Sequence, residues 1–410
     1  MFASYLYYQG INVVLALVSL LFLRWTRRLT WVRPDGFLCT PFRCYLWVRC
    51  PVYVVFMSVF TLVFFLVSQD LARPISSAMG RQEPWVRFLG MGVSFYAGVF
   101  LLPLIGLILS LRTGNGPLLN RRAAAIDRCA AGLWLLASFG LGYECMWRGP
   151  GSIRVEETKV ALADWPESLP PMRVVVLADL QTALLTGRER AVSGIVESLK
   201  PDLIVIPGDL VAQSLEPRYP IESARHVLGS ITAPLGVYAV NGDVDAAVPG
   251  ELWTVLRGTD AILLDNGAEL LHAGFPIELA GFDPHRGESF RALLSAPPLS
   301  SLRIALVHRP DHARQIADAG FDLVIAGHTH GGQVVIPGLG PPYVNSSVSR
   351  KIGAGGLHAL TERSQLYVSR GIGLEAGFAP PIRLFCPPEI SLLILGPQPT
   401  SDPSSRTSSH

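Results

Sequence analysis

Lysine is almost missing from this chain. Among its 34 basic residues only Lys159, Lys200 and Lys351 are lysines. That reads as genome composition; the sharper alternative is a preference for the flat guanidinium, which grips phosphate at two points. Charge is scarce too. Only 16% of the 410 residues are charged and the net charge is +2, which gives no case for nucleic acid as a partner. Cysteines lie at 39, 44, 50, 129 and 145, with only Cys386 beyond them. The second half therefore has no internal disulfide, and a domain of its size can bury enough core without one. The spacing of Cys39, Cys44 and Cys50 is not that of a zinc ribbon. No cleavable signal peptide is expected, because the first apolar run ends on Arg24, Arg27 and Arg28 rather than on a small-residue cleavage site.

What the chain has in abundance is apolar sequence. Half of the residues are hydrophobic and the mean hydropathy is +0.37, too apolar for one soluble domain and consistent with a membrane part joined to a soluble part. Four stretches, roughly 5–23, 48–67, 88–111 and 129–147, approach the ~20 residues that cross a bilayer. Residues 1–150 are thus expected to form a four-helix transmembrane region. Arginines crowd the connections after the first span (Arg24, Arg27, Arg28, Arg33, Arg43) and after the third (Arg112, Arg121, Arg122). The positive-inside rule places those loops in the cytoplasm. The expected location is the cell membrane, multi-pass, with everything after the fourth span outside the cytoplasm.

From Val155 the texture changes to short β-branched runs alternating with helical patterns, the signature of layered α/β structure. Strands are expected at 173–178, 203–206, 236–240, 262–264, 269–272, 277–280, 303–307, 323–326, 333–336, 365–368, 382–385 and 389–395. Helices are expected at 188–199, 221–229 and 251–256, with a fourth capped by Asp311 and running to Ala319. Residues 151–396 form the expected catalytic domain. The Pro-, Ser- and Thr-rich tail 397–410 reads as disordered.

Five of these strands end on metal-type ligands: Asp179-Leu180-Gln181, Gly208-Asp209, Gly242-Asp243-Val244-Asp245, His308 and Gly327-His328-Thr329-His330-Gly331-Gly332. A single Asp at a strand end is ordinarily a turn or cap residue. Carboxylates followed by imidazoles, all at strand C-termini, converge on one sheet edge, where α/β folds place their sites. Mixed Asp and His ligands suit Mn²⁺, Fe or Zn²⁺ rather than Ca²⁺. Two such ions ~3.5–4 Å apart can clamp a phosphate between them. His226, His272, His285, His312 and His358 lie off these motifs and read as surface or satisfied histidines.

This order of motifs resembles the calcineurin-like metallophosphoesterases, and in particular a membrane-attached bacterial branch. Gly327–Gln333, Tyr367–Gly373 and Arg383–Ile390 carry the resemblance to that branch, which spans about residues 154–395. It implies an α/β (βαβαβ) sandwich that hydrolyses phosphoesters with a metal-activated hydroxide at a dinuclear centre. Carried across, one metal would take Asp179, Gln181, Asp209 and His330, and the other Asp209, Asp243, His308 and His328, with Asp209 bridging. Three positions depart from the family pattern: Gln181 for His, Asp243 for Asn and Val244 for His. Gln181 should loosen the first metal and tilt it towards Mn²⁺ or Mg²⁺, and Asp243 should tighten the second, giving two unequal ions. The family's His at 244 contacts the phosphate and helps protonate the leaving group, which valine cannot do. Asp245, Arg309 or a metal-bound water are the candidate substitutes, and Arg309 and Arg370 the candidate phosphate contacts. The expected function is a membrane-anchored, metal-dependent phosphoesterase acting on phosphoesters at or near the membrane, such as lipid-linked ones. The alternative is a catalytically weakened domain that binds metal or a phosphorylated ligand as a sensor or scaffold.

Overall fold

The computed structural model describes residues 136, 140, 143–182, 185–212, 218–246, 251–374 and 382–398. The chain divides into two compact units, Met1–Trp147 with Glu375–Pro381, and Arg148–Leu374 with Ile382–His410. Of the first, little is described. The apolar stretches 5–23, 48–67 and 88–111, and most of 129–147, lie outside the described residues. Among those that are described, no helix is long and apolar enough to cross a membrane. The tail from residue 399 onward also lies outside them.

The second unit is built on twelve strands: β1 (Arg154–Leu162), β2 (Met172–Val176), β3 (Leu203–Ile206), β4 (Val237–Ala239), β5 (Ala261–Leu263), β6 (Gly267–His272), β7 (Pro276–Phe282), β8 (Leu302–Val307), β9 (Leu323–Ala326), β10 (Gly356–Ala359), β11 (Gln365–Val368) and β12 (Glu389–Pro397). They form two six-stranded sheets, in the orders β1-β12-β2-β3-β4-β5 and β10-β11-β9-β8-β7-β6. Both are mixed. In the first, β2, β3, β4 and β5 run parallel and β12 pairs antiparallel with β2. In the second, β7, β8, β9 and β11 run parallel, flanked by antiparallel β6 and β10.

The period-2 alternation of strand side chains explains the layering. Val174 and Val176, Leu203 and Val205, Ile304 and Leu306, and Leu323 and Ile325 all belong to one apolar cluster between the sheets. Their neighbours face outward. Val175, Ile204 and Ile206 pack with Val192, Val196, Ala224 and Val227 of helices α1 (Gly187–Leu199) and α2 (Arg218–Leu228). Ala305, Val307, Val324 and Ala326 pack with Phe290, Ala313 and Ile316. Strands covered on both faces need continuous apolar runs, which is why β3, β8 and β9 read Leu-Ile-Val-Ile, Leu-Arg-Ile-Ala-Leu-Val and Leu-Val-Ile-Ala. Further helices include α3 (Asp243–Ala246), α4 (Glu251–Leu256), α5 (Gly287–Leu294), α6 (Ala313–Asp318) and α7 (Arg350–Gly353). Thr186 and Glu189 form a capping box at the start of α1.

Three expectations are corrected. The segments 333–336 and 382–385 are not ladder strands; they meet at one isolated bridge, Val334 to Leu384, and Ile336 bridges to Gly340 within its own loop. Gln333 and Phe385 sit at φ +58° and +52°, and a left-handed residue breaks the extended run. Asp311 does not cap α6, which follows a 3₁₀ turn at Pro310–His312. Its carboxylate accepts instead from Ser346 Oγ at 2.9 Å and the Ser347 N–H at 2.7 Å.

Candidate metal centre

Every expected ligand leaves the sheet at the C-terminal end of a strand: Asp179 after β2, Asp209 after β3, Asp243 after β4, His308 after β8, and His328 and His330 after β9. The turns there are strained. Asp179, Gln181, Asp209, His328 and His330 have φ of +48°, +38°, +54°, +69° and +48°, a region costing on the order of 1–3 kcal/mol per non-glycine residue and held only by surrounding contacts. Two glycines permit the close approach this needs. A Cβ on Gly242 would lie 2.1 Å from Asp209 Oδ1, and one on Gly327 would lie 2.6 Å from Asp179 Oδ2.

The buried carboxylates and imidazoles interlock. Asp179 accepts the His328 backbone N–H at 2.9 and 3.0 Å. Asp209 accepts the Val244 backbone N–H at 2.8 Å and Gln181 Nε2 at 3.2 Å. His308 Nε2 stands 3.4 Å from Asp209 Oδ2, and His328 Nδ1 stands 3.3 Å from both Asp243 Oδ2 and His308 Nε2. Backbone carbonyls orient two of the rings. Pro207 O lies 2.9 Å from His308 Nδ1, and Asn345 O lies 2.7 Å from His328 Nε2. A carbonyl accepts only from N–H, so His308 Nδ1 and His328 Nε2 carry protons, and the nitrogens facing the carboxylates, His308 Nε2 and His328 Nδ1, are the ones that offer a lone pair to a cation when each ring is neutral. His330 Nε2 is buried without a hydrogen-bond partner, while its Nδ1 lies 3.4 Å from Arg383 Nη2.

Electrostatics distinguish the members. For Asp209, burial alone would raise the carboxyl, but His308 and the Val244 N–H outweigh it and hold the group far below the carboxylate range. For Asp179 burial wins and pushes the group up. Burial also opposes the charge on Asp243, yet His308, His328, His285 and Arg309 hold it low. His308 is raised to about 10, because Asp209, Asp179 and Asp243 overcome the desolvation that would lower it. Burial and His308 push His328 down to about 4, and burial with Arg383 keeps His330 neutral. Three carboxylates thus converge on one site, with His308 holding a proton between them.

This donor set fits a divalent cation. Two groups, Asp243/His308/His328 and Asp179/Asp209/His308, each bring one ligand atom per residue within 4.8 Å of the others. The orphaned His330 Nε2 and the oriented lone pairs of His308 and His328 are what a metal would satisfy. The structure brings His308 beside both groups rather than one, and His330 falls outside both. Gln181 meets the centre through its amide N–H on Asp209.

Other expected residues are placed differently from one another. Arg309 stands at the opening, with Nη1 3.0 Å from Asp243 Oδ2 and Nε 3.4 Å from Asp311. Arg370 is paired within the domain: its Nε lies 3.3 Å from buried Glu389 and its Nη2 3.9 Å from Glu156. Asp245 turns into the protein. It is buried, and its carboxylate accepts the backbone N–H groups of Leu210, Val211 and Gly242, stapling the loop after β3 to the loop after β4. Conversely His285, read as a surface histidine, lies 3.0 Å from Asp243 Oδ1. No spacing rule connects residues 42 positions apart. Fully buried Arg383 was also missed as part of the centre. It donates to the carbonyls of Arg370, Gly371 and Gly373 and so fixes the loop packed against Asp179.

Comparison with known proteins agrees with this geometry. Residues 172–332 match the sequence model of the family described as Calcineurin-like phosphoesterase. The chain is 28% identical over 284 residues to Phosphodiesterase YaeI of Escherichia coli, covering 67% of this chain and 98% of that protein. It is 26% identical to the Transmembrane protein with metallophosphoesterase domain of Danio rerio, covering 68% of this chain and 67% of that protein. It is 27% identical to the UDP-2,3-diacylglucosamine pyrophosphatase LpxG of Chlamydia trachomatis, covering 60% of this chain and 89% of that protein. Carboxylates and imidazoles gathered at the strand ends of a two-sheet sandwich agree with these similarities: residues 172–332 carry a calcineurin-like phosphoesterase domain, that of a metal-dependent phosphoester hydrolase.

Proposed function

We propose that this chain is a membrane-anchored phosphoesterase whose catalytic domain lies outside the cytoplasm and acts on phosphoesters at or near the bilayer. The observation that carries the catalytic part is the pair of ligand groups sharing His308. Bound divalent ions would supply Lewis acidity to the phosphoryl oxygens and lower the pKa of water. Asp179, Asp209, Asp243, His308 and His328 would hold them, with His330 and Gln181 completing the weaker position, so that two ions of Mn, Fe or Zn type would be held unequally. The chain's own groups then orient and screen. Arg309 stands where it can take a phosphoryl oxygen. Asp179 and Asp209 themselves are buried, away from bulk water.

The four apolar stretches support the membrane anchor, as does the resemblance to a protein named for a transmembrane segment. The likeness to a pyrophosphatase named for a diacylated sugar nucleotide supports a lipid-linked substrate. One observation favours a second reading, a weakened domain that binds without turnover: the Gln181 amide points an N–H, not an oxygen, at Asp209.

Metal content of the purified full chain, with turnover of an activated aryl phosphodiester in Mn²⁺, separates the two. Bound metal with turnover is expected. Bound metal without turnover across several phosphomonoesters and diesters would overturn the enzyme reading. Protease digestion of intact and permeabilised cells tests the orientation; a domain cut only after permeabilisation would invert it.

A further inference from the structure

Position 244, where the resembled family carries an imidazole, contributes only a backbone N–H on Asp209 here. A different element reaches the opening instead. The loop between β7 and α5 carries His285, whose Nε2 lies 3.0 Å from Asp243 Oδ1 and whose side chain is 52% exposed. Arg309 holds the other oxygen of the same carboxylate at 3.0 Å. Asp243 is also the exposed one of the three acids. Its side chain is 27% accessible, against 0% for Asp179 and 3% for Asp209. Among these three acids it is Asp243 that solvent reaches, and His285 and Arg309 stand beside it.

The loop is braced towards this position. Asp283 Oδ1 accepts the His285 backbone N–H at 3.0 Å, and Asp283 Oδ2 accepts Asn241 Nδ2 at 3.2 Å, tying the loop to the residue two before Asp243. The Asp283 N–H donates to Asn266 Oδ1 at 2.9 Å, and Asn266 Nδ2 returns a bond to Asp283 O at 3.1 Å. A loop backbone held in this way keeps His285 at the opening, and a group already in place loses less freedom on meeting a substrate.

We propose that His285 is a further catalytic residue, donating its Nε2–H to the leaving-group oxygen in place of the imidazole that Val244 lacks. The inference rests on the phosphoesterase reading. In the step, the oxygen of water forms the new P–O bond. The bond from phosphorus to the leaving oxygen breaks, and its electron pair stays on that oxygen. The two protons of water end on the released alcohol and the product phosphate. The Nε2–H hydrogen bond stabilises the charge that builds on the leaving oxygen and is not consumed. Arg309 neutralises a non-bridging oxygen in the same step.

The test uses the full chain in detergent with Mn²⁺ and a series of aryl phosphodiesters whose leaving phenols range from activated to unactivated. His285→Ala should leave bound metal unchanged and the rate on the most activated ester within about threefold. It should slow the least activated ester by about 10²-fold, the low end for such a contact. Adding Val244→His to that variant should recover at least about tenfold of the loss on the poor leaving groups. Equal slowing across the series together with lost metal would make His285 merely a support for Asp243 and overturn the proposal, as would no slowing at all. Absence of turnover by the unaltered chain on every ester would overturn the phosphoesterase reading, and this inference with it.

Discussion

The first sheet sends carboxylates to the centre, Asp179, Asp209 and Asp243 from β2, β3 and β4. The second sends imidazoles, His308 from β8 and His328 and His330 from β9. The sheets also treat buried charge differently. Within the second, Glu278 on β7 is opposite Arg303 on β8. The pair is bidentate, at 2.8 and 2.9 Å, and Arg303 also lies over the Phe321 ring at 3.9 Å. At the strand ends of the first sheet, Asp179 and Asp209 have no arginine or lysine as hydrogen-bond partner among the described residues; backbone N–H groups, an amide and a protonated His308 stand in. One buried charge is neutralised where it sits. The others are left for a cation that only both sheets together can ligate, so that the ion would act as a fastener between them.

That contrast can be broken by substitution. Asp209→Asn removes the carboxylate that meets His308, Gln181 and Val244 at once; turnover should fall by about 10³-fold or more and bound metal should drop, read by elemental analysis beside initial rates. Glu278→Gln should do the reverse, destabilising the domain by about 3–5 kcal/mol in denaturant titrations while each folded chain keeps its metal. If both variants lost metal equally, the division between the sheets would be wrong.

Chelation sharpens the same point. An ion present at 100 times its dissociation constant stabilises by about 2.7 kcal/mol, so its removal should lower the melting temperature by roughly 5–10 °C for a domain of this size. An unchanged melting temperature would mean that no ion links the sheets. The last effect is that of pH. In the metal-free protein His308 is raised from 6.5 to about 10. A folded-state value above the unfolded one gives stability that is complete below pH 6.5 and is lost as pH rises towards 10. A ligand imidazole must be neutral, so Mn²⁺ affinity should move the opposite way, rising up to about tenfold per pH unit across that window. Calorimetric titrations at several pH values would read both trends.

Much of the centre was legible because strand and ligand sit next to each other in the chain. Ile204-Val205-Ile206 followed by Gly208-Asp209 states both the buried strand and the ligand at its end. So does Val324-Ile325-Ala326 followed by Gly327-His328. Asp311 and Asp245 were misread for one reason: an Asp near a helix start or beside a ligand looks like a cap or an acid. Which N–H groups a carboxylate accepts depends on loops 35 and 36 residues away. Strands β1 and β10 and helices α5 and α7 went unread. Their half-exposed or very short segments carry little periodic signal. Arg370 followed the same logic, since nothing near it in sequence announces Glu389 as its partner.

By itself the sequence determined the layered α/β class, the strands that carry Asp179, Asp209, Asp243, His308 and His328, and the family to which they point. Apolar period and adjacent ligand are local properties, and local properties survive in one dimension. Only the tertiary structure decided that His308 stands between both ligand groups, that Asp245 turns inward, that Arg370 is spent on Glu389, and that His285 arrives at Asp243 from another loop. Those outcomes depend on which strand ends meet across two sheets. Burial and fixed hydrogen-bond geometry choose among charged partners that the sequence keeps far apart.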